Sequence, residues 1–250
     1  MINQIDTPVL ESSRLKHHFR NETERLALTQ SMFNRSADLY DRIEWWTGLG
    51  SGPRYRRQVL QQAGLKPGMQ VLDVATGTGL VAREALTLIG PQGRLVGLDP
   101  SPGMLAQARK KLEIEIVQGY AEAIPLAANQ FDFLTMGYAL RHVVDLETTF
   151  REYLRVLKPG GRICILEIVR PHNPLLLKLL KFHLHDFVPA MTRLLLRRPD
   201  AGDLLKYYWD TIEVCVPHQT IEAAISAAGF TSVRSQLNLG MFREYLGTKP

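Results

Sequence analysis

Val71-Leu72-Asp73-Val74-Ala75-Thr76-Gly77-Thr78-Gly79 is the stretch from which the rest of the chain can be read. Its first five residues are apolar except for Asp73, the pattern of a central parallel strand buried on both faces. Four small residues follow, and then a helix-like run over 80–88. Strand, glycine turn and helix form the opening unit of a nucleotide-binding α/β sheet. There a missing Cβ lets backbone approach a ligand and a helix N-terminus faces it. A tight turn between strand and helix also needs glycine when nothing binds, so the loop alone leaves both readings open. The spacing is not that of the dinucleotide fingerprint, because Ala82 stands where its third glycine would fall. The next apolar run, Leu95-Val96-Gly97-Leu98, ends in Asp99. A carboxylate at the carboxyl end of the second strand can accept hydrogen bonds from both hydroxyls of a ribose. A nucleoside is therefore expected, with no requirement for a pyrophosphate.

The surrounding 250 residues are 45% hydrophobic, enough for the core of one large α/β domain with an appended cap. The net charge of +5 is modest, and no aromatic-interleaved basic run points to nucleic acid. Cys164 and Cys215 sit in apolar settings without metal-ligand spacing, so they are expected to be small buried hydrophobes in a reducing compartment, and no metal site is expected. The N-terminus is polar and no apolar run is long enough to span a bilayer, which leads us to expect a cytoplasmic protein.

Residues 1–18 are polar and aperiodic, and poor order is expected there. From Glu24, apolar residues recur at helical spacing through Tyr40, followed by Ile43, Trp45 and Trp46 and a break from Gly48 to Pro53. These helices are expected over the mouth of the sheet, with the tryptophans either core or lid. A helix over 55–63 leads to the first strand. Helices are then expected over 102–111, 146–157 and 219–228, and strands over 94–98, 114–118, 131–137 and 162–169. Lys158-Pro-Gly-Gly161 is read as a stop before the strand at 162. Short connections between alternating elements predict a mainly parallel sheet with helices on both faces and ligands at the strands' carboxyl ends. Two closing strands, 231–239 and 241–248, joined through Gly240, suit an antiparallel hairpin. Between Arg170 and Asp210 the prolines predict short helices, with leucines beside Lys178, Lys181, Arg197 and Arg198. That insertion could cap a greasy pocket, rest on an anionic membrane, or simply pack on the sheet behind a solvated cationic rim.

Taken together, the chain resembles class I S-adenosylmethionine-dependent methyltransferases, and within them the ubiquinone/menaquinone C-methyltransferase family. The likeness covers residues 33–250. It rests on Phe33-Asn-Arg-Ser-Ala37 with Tyr40-Asp41, the glycine loop, Gly97-Leu-Asp99-Pro-Ser with Met104-Leu105, and Gly119-Tyr-Ala-Glu122 with Ile124-Pro125. It continues through Phe131-Asp132, Arg141, Arg155-Val-Leu-Lys-Pro-Gly-Gly-Arg162 with Leu166-Glu167, Ala227-Ala-Gly-Phe230 and Gly247-Thr-Lys-Pro250. The resemblance implies a Rossmann-like seven-stranded sheet with an antiparallel last strand. An N-terminal helical lid (1–63) would precede the methyltransferase domain (64–250), whose helical cap insertion (170–212) comes before the last helix.

The resemblance also implies roles. Ala75, Thr76, Gly77 and Gly79 would run along the methionine part of S-adenosylmethionine, and Asp73 would orient that loop or meet the amino group. Asp99, beside Pro100, would hold the ribose, with Met104 over the adenine and Tyr120 and Ala121 at its edge. Met136 to Arg141 would face the sulfonium and the acceptor. The chain departs from the family at Tyr120, where an aspartate is usual, at Glu44 for an asparagine, at Gly52-Pro53 for a histidine-containing stretch, and at Ala139 and His142 for glycine and asparagine. The departures cluster where an acceptor would lie. Tyr138, Arg141 and His142 are the catalytic candidates: Arg141 as a cation beside a phenolate or as an ion-pair partner of Asp145, His142 as a base or a packed histidine. Tyr207, Tyr208 and Asp210 are weaker candidates. The expected acceptor is a lipophilic quinone-like or phenolic molecule methylated at carbon. Methylation of oxygen or nitrogen on another metabolite, and a cofactor-binding scaffold without turnover, stay open. Peripheral membrane contact and a homodimer are the remaining partner readings.

Overall fold

A computed structural model of the chain describes residues 19–48, 50–196 and 199–250. The expectation for residues 1–18 and the Arg197-Arg198 pair lie outside them. Seven strands form one sheet in the order β3-β2-β1-β4-β5-β7-β6. They are β1 (Gln70–Val74), β2 (Arg94–Asp99), β3 (Glu115–Gln118), β4 (Phe131–Gly137), β5 (Leu157–Ile168), β6 (Thr231–Asn238) and β7 (Phe242–Thr248). The pairings β1 with β2, β2 with β3, β1 with β4 and β4 with β5 are parallel, whereas β7 runs antiparallel to β5 and β6. The antiparallel last strand and its hairpin are as expected.

The helices are α1 (Glu22–Ser36), α2 (Tyr40–Gly48), α3 (Gly52–Gln62), α4 (Leu80–Ile89), α5 (Pro102–Lys111), α6 (Leu146–Val156), α7 (Pro174–Lys181), α8 (Val188–Leu196), α9 (Pro199–Glu213) and α10 (His218–Ala227). Alternate residues of the central strands supply two cores. Val71, Phe133, Cys164 and Leu166 pack with α3 and α4. Leu72, Val74, Leu134, Ile163 and Ile165 pack with α6 and α10 on the other face. That is why these strands read as near-continuous apolar runs.

Three local expectations change. Lys158-Pro-Gly-Gly161 is not a stop, because β5 begins at Leu157 and runs through it. The register against β4 shifts between Phe131 and Phe133, Gly160 takes φ +78°, and its N–H donates to the carbonyl of Lys249. The glycine pair thus makes an irregularity inside a strand. The break after Trp46 narrows, since Gly48 closes α2 and Gly52-Pro53 opens α3, with proline in the first turn where its missing N–H costs nothing. In the insertion, Pro174 and Pro199 likewise open helices rather than end them. A π-helical turn, Phe182–Phe187, joins α7 to α8.

Polar bonds fasten α1 and α2 across the carboxyl ends of β1, β2 and β4. Asn34 Oδ1 accepts from Ser101 Oγ (2.6 Å) and from the Gly103 N–H (2.9 Å). Gln30 Nε2 donates to the Pro100 carbonyl at 2.7 Å. Arg25, buried, donates to the carbonyls of His142 and Val143. Asp41 accepts from Thr78 Oγ1 of the glycine loop and from Lys111 Nζ of α5, each at 2.5 Å. Glycine loop, second strand end and N-terminal helices therefore hold one another.

Candidate active site

The loop after β1 is built from left-handed residues. Ala75 has φ +53°, Gly77 +57° and Gly79 +88°. Ala75 accepts a conformation that costs a side-chain-bearing residue about 1 kcal/mol or more, the kind of strain that collects at ligand sites. A Cβ on Gly77 would meet no atom within 4 Å, so that position opens onto free space. A Cβ on Gly79 would lie 2.4 Å from Leu112 Cδ1. The first position is open and the second is filled by packing.

Asp99 closes the loop from the side. Its Oδ2 accepts from the Gly77 N–H (2.9 Å) and its Oδ1 from the Ser101 N–H (2.8 Å). Each carboxylate oxygen keeps a lone pair free to accept a second bond. Burial raises the Asp99 pKa to about 6 despite those two N–H groups. Burial also raises Asp73, to about 7, against the pull of a 2.6 Å bond from Thr76 Oγ1. Asp73 Oδ1 has no hydrogen-bond partner.

Two cavities meet at this loop. The smaller, about 120 Å³, is walled by Ala75, Gly77, Asp99, Pro100, Met104, Tyr120, Ala121, Met136, Tyr138 and His142. From α1 and α2 come Leu26, Thr29, Gln30, Phe33 and Tyr40. An acid at one end, apolar Leu98, Met104 and Ala121, and bare backbone at Gly77 suit a nucleoside with a short charged tail. The larger cavity, about 310 Å³, is lined mostly by apolar side chains, Ile43, Ile168, Leu180, Leu184, Leu204 and Leu205 among them. Its polar members are Glu44, Thr47, Ser51, Arg54, Arg56, Gln58, Thr76 and Thr78, with the hydroxyls of Tyr40, Tyr55, Tyr138 and Tyr208; of the two arginines Arg56 is buried and Arg54 exposed. Tyr40, Ala75, Gly77, Gly137 and Tyr138 border both.

Tyr138 stands at that shared wall with φ +60°, its N–H held by the Leu166 carbonyl at 2.7 Å. Burial pushes its hydroxyl pKa up, so it stays a phenol. His142 stacks on Tyr207 at 5.9 Å between ring centres and meets Phe33 edge-on at 5.5 Å. Burial, Arg141 and Arg25 hold its pKa well below the usual value, so the ring is neutral, and neither nitrogen has a hydrogen-bond partner.

Three of the expected site residues stand behind the walls. Asp73 orients the loop through Thr76. Gly79 caps α4 against Leu112. Arg141, fully buried in the 3-10 turn Leu140–His142, pairs with Glu167 of β5, donates from Nε to Thr211 Oγ1 of α9 at 3.1 Å, and lies 3.7 Å from the Tyr208 ring centre. Burial opposes the Arg141 charge, but the Glu167 carboxylate outweighs it and raises the pKa. The ion pair is therefore with Glu167, where sequence suggested Asp145. Asp145 caps α6, accepting from the Thr148 N–H at 2.7 Å. Sequence reading gave no role to Thr29, Gln30, Asn34, Tyr40, Asp41 or Glu122; that Asn34, Tyr40, Asp41 and Glu122 stand in the motifs carrying the resemblance was the available signal. Tyr120, 43% exposed, borders the smaller cavity without a buried polar contact. Among the described residues no cluster of His, Cys, Asp and Glu could hold a metal ion, and no helix is long and apolar enough to cross a membrane.

Comparison with known proteins places this site in a family. Residues 20–249 match the ubiE/COQ5 methyltransferase family. The ubiquinone/menaquinone biosynthesis C-methyltransferase UbiE of Ectopseudomonas mendocina is 31% identical over 237 residues, covering 92% of this chain and 91% of that one. The Pseudomonas fluorescens protein of the same name is 31% identical over 242 residues, with 93% of each covered. Among solved structures, a SAM-dependent methyltransferase of Thermotoga maritima aligns with TM-score 0.62 and 20% identity over 89% of this chain and all of that one. One from Aquifex aeolicus aligns with TM-score 0.56 and 20% identity over 78% and 89%. These structural likenesses carry the fold. With an acid at the second strand end, an open glycine loop and a match over nearly its whole length, the chain belongs to the ubiE/COQ5 methyltransferase family and is a methyltransferase that uses S-adenosylmethionine.

Proposed function

We propose that the chain methylates a ring carbon of a lipophilic quinone-like or phenolic molecule bound in the larger cavity. The observation that carries this reading is the wall the two cavities share at Ala75, Gly77, Gly137 and Tyr138, which sets an apolar site against the nucleoside crevice. The relatives' names, C-methyltransferases of ubiquinone and menaquinone biosynthesis, agree with an acceptor of that kind.

S-adenosylmethionine, when bound, supplies a sulfonium methyl group for in-line displacement. The protein's part is to align the partners and exclude water. Asp99 holds the ribose, Gly77 leaves its backbone open to the tail, and Met104 and Ala121 flank the base. Tyr138 and Tyr40 stand between donor and acceptor. Neutral His142, with both ring nitrogens free, can accept a hydrogen bond beside the crevice, while burial, Arg141 and Arg25 disfavour its taking a proton. Arg141 acts through position: its pair with Glu167 ties the turn carrying His142 to β5 and α9. Among the described residues, 19–48 and 50–63 act as a lid, and 170–196 and 199–212 as a cap, on the domain over 64–250. The exposed Leu175, Leu179, Phe182, Phe187, Leu194 and Leu239, beside Lys178 and Lys181, rest on an anionic bilayer from which the acceptor enters.

The test is transfer of an isotope-labelled methyl group from S-adenosylmethionine into a lipid extract, with the labelled atom located by mass spectrometry and NMR. Label on a ring carbon is the expected result. Label on oxygen or nitrogen, or tight binding without transfer, overturns the reading.

A further inference from the structure

The larger cavity, apolar over most of its wall, contains a buried cation that the transfer chemistry above leaves unused. Arg56 of α3 is only 2% exposed. Its Nη2 pairs with Glu44 of α2, while Nε and Nη1 have no hydrogen-bond partner. Its guanidinium carbon lies 5.6 Å from the ring centre of Tyr138, at the wall shared with the cofactor crevice. Arg56, Glu44 and Tyr138 all line the larger cavity.

A guanidinium is a fork of N–H donors with no acceptor, and one carboxylate on one nitrogen leaves most of the fork unused. Unpaired donors away from water are costly and are kept where a partner arrives. Glu44 and Tyr40 of α2, Tyr138 at the end of β4, Tyr208 of α9 and Asp73 of β1 all interact with the Arg56 charge, and the field of Tyr138, Glu44 and Tyr40 outweighs burial in keeping it charged.

We infer that Arg56 is the anchor for an anionic oxygen on the acceptor's ring, an ionised hydroxyl or a ring carboxylate, received by an unpaired N–H of its guanidinium beside Tyr138. This rests on the reading of the larger cavity as the acceptor site. It gives that cavity a polar address: a greasy molecule without an acidic ring oxygen fills the space but leaves the fork unpaired. It also sets Arg56 apart from Arg141, which lines neither of the two cavities and keeps only Nη2 without a hydrogen-bond partner, its Nη1 and Nε being paired. The placement of Glu44 adds a sign, because its negative charge competes with the arriving anion for the same guanidinium.

The probe is a 4-nitrophenol carrying a hydrophobic alkyl chain, whose absorbance separates phenol from phenolate, titrated onto the full chain across pH. The expected result is a lower apparent pKa for the bound probe than for the free one. In Arg56→Met that lowering disappears and phenolate affinity falls roughly 10- to 100-fold, the loss expected for charge-assisted hydrogen bonds. Arg56→Lys should keep part of it. S-adenosylmethionine affinity, read by calorimetry, should stay within about twofold in both variants as a check that the crevice is intact. Glu44→Gln should move the bound probe's pKa further down. A matched alkylbenzoate distinguishes sources: Arg56-dependent binding of either probe supports the proposal, the nitrophenol marking a ring hydroxyl and the benzoate a carboxylate. Unshifted nitrophenol ionisation on the native chain together with benzoate binding that does not depend on Arg56 overturns it, as does Arg56→Met that retains the binding of both anions. Should Arg56→Met fail to fold, Glu44→Gln decides, and an absent or reversed shift overturns the proposal. Arg56-dependent probe binding without methyl transfer would sink the methylation reading alone. Transfer to a ring carbon without Arg56-dependent binding would sink this one alone.

Discussion

The smaller cavity is walled by the ends of β1, β2 and β4, the acids Asp99 and Glu122 and one face of α1, whereas the larger is walled chiefly by side chains from α2, α3, α7, the π-helical turn, α9 and the turn before β7. The first is fixed by the register of a parallel sheet and by three left-handed loop residues. The second depends on α3, which packs on the sheet, and on helices brought together from distant parts of the chain. A chemistry that stays constant, holding one cofactor, is carried by main-chain geometry; a choice that varies, the acceptor, is left to side chains.

The junction between the two regions is where substitution should bite hardest. Arg141→Ala leaves Glu167 buried without its partner and should cost about 3–5 kcal/mol in denaturant unfolding. Adding Glu167→Gln should recover part of that loss. An unchanged unfolding midpoint accompanied by lost turnover would move Arg141 from support into the chemistry. Within the crevice, Gly77→Ala adds a methyl group where nothing in the protein stands, at φ +57°. It should cost about 1–2 kcal/mol of stability from the left-handed backbone, and lower cofactor affinity more than tenfold in calorimetry. If affinity holds, the open space at Gly77 is not the ligand's.

Proton linkage separates the regions again. Asp99 and Asp73 keep their protons to about 6 and about 7 in the folded chain. The folded state then binds more protons than the unfolded one above the usual carboxylate range, so their contribution to stability falls as pH rises through that window. His142 works in the opposite sense: the unfolded chain takes its proton first, so its contribution is lost as pH falls below the ordinary histidine range. Cofactor affinity should rise as Asp99 ionises and level off above pH 6, losing at most about tenfold per unit on the acid side. Calorimetry between pH 5 and 8 reads this, and Asp99→Asn should flatten it. The smallest effect belongs to the rim. Leu175→Asp with Leu179→Asp, both exposed, should change stability by no more than about 0.5 kcal/mol. Flotation with anionic vesicles should fall several-fold, and unchanged flotation would break the membrane reading.

The crevice was largely legible in sequence because its determinants are local. Apolar run, small loop and terminal acid lie within a few residues of one another, and the strands of both cores announce themselves by being apolar on both faces. The acceptor side was not, because its contacts are long-range. Arg141 meets Glu167 and Thr211, Arg56 meets Glu44, and Asn34 meets the turn before α5. No period or spacing encodes such pairs, and Asp145, four residues from Arg141, was the nearer but different partner. Lys158-Pro-Gly-Gly161 misled for a related reason: the residues have turn chemistry, but the chain's own end holds them as strand. Lys249 Nζ donates to the carbonyls of Leu154 and Leu157, and its backbone pairs with Gly160 and Gly161.

The central claim is that Asp99 grips the sugar of the methyl donor. Calorimetric titration of the native chain and of Asp99→Ala, each with S-adenosylmethionine and with its 2′,3′-dideoxy analogue, tests it as a double cycle. The account predicts that removing both hydroxyls weakens binding about 100-fold on the native chain, the scale of two hydrogen bonds to a charged acceptor, and hardly at all on Asp99→Ala. Equal affinity of the native chain for both compounds would contradict it.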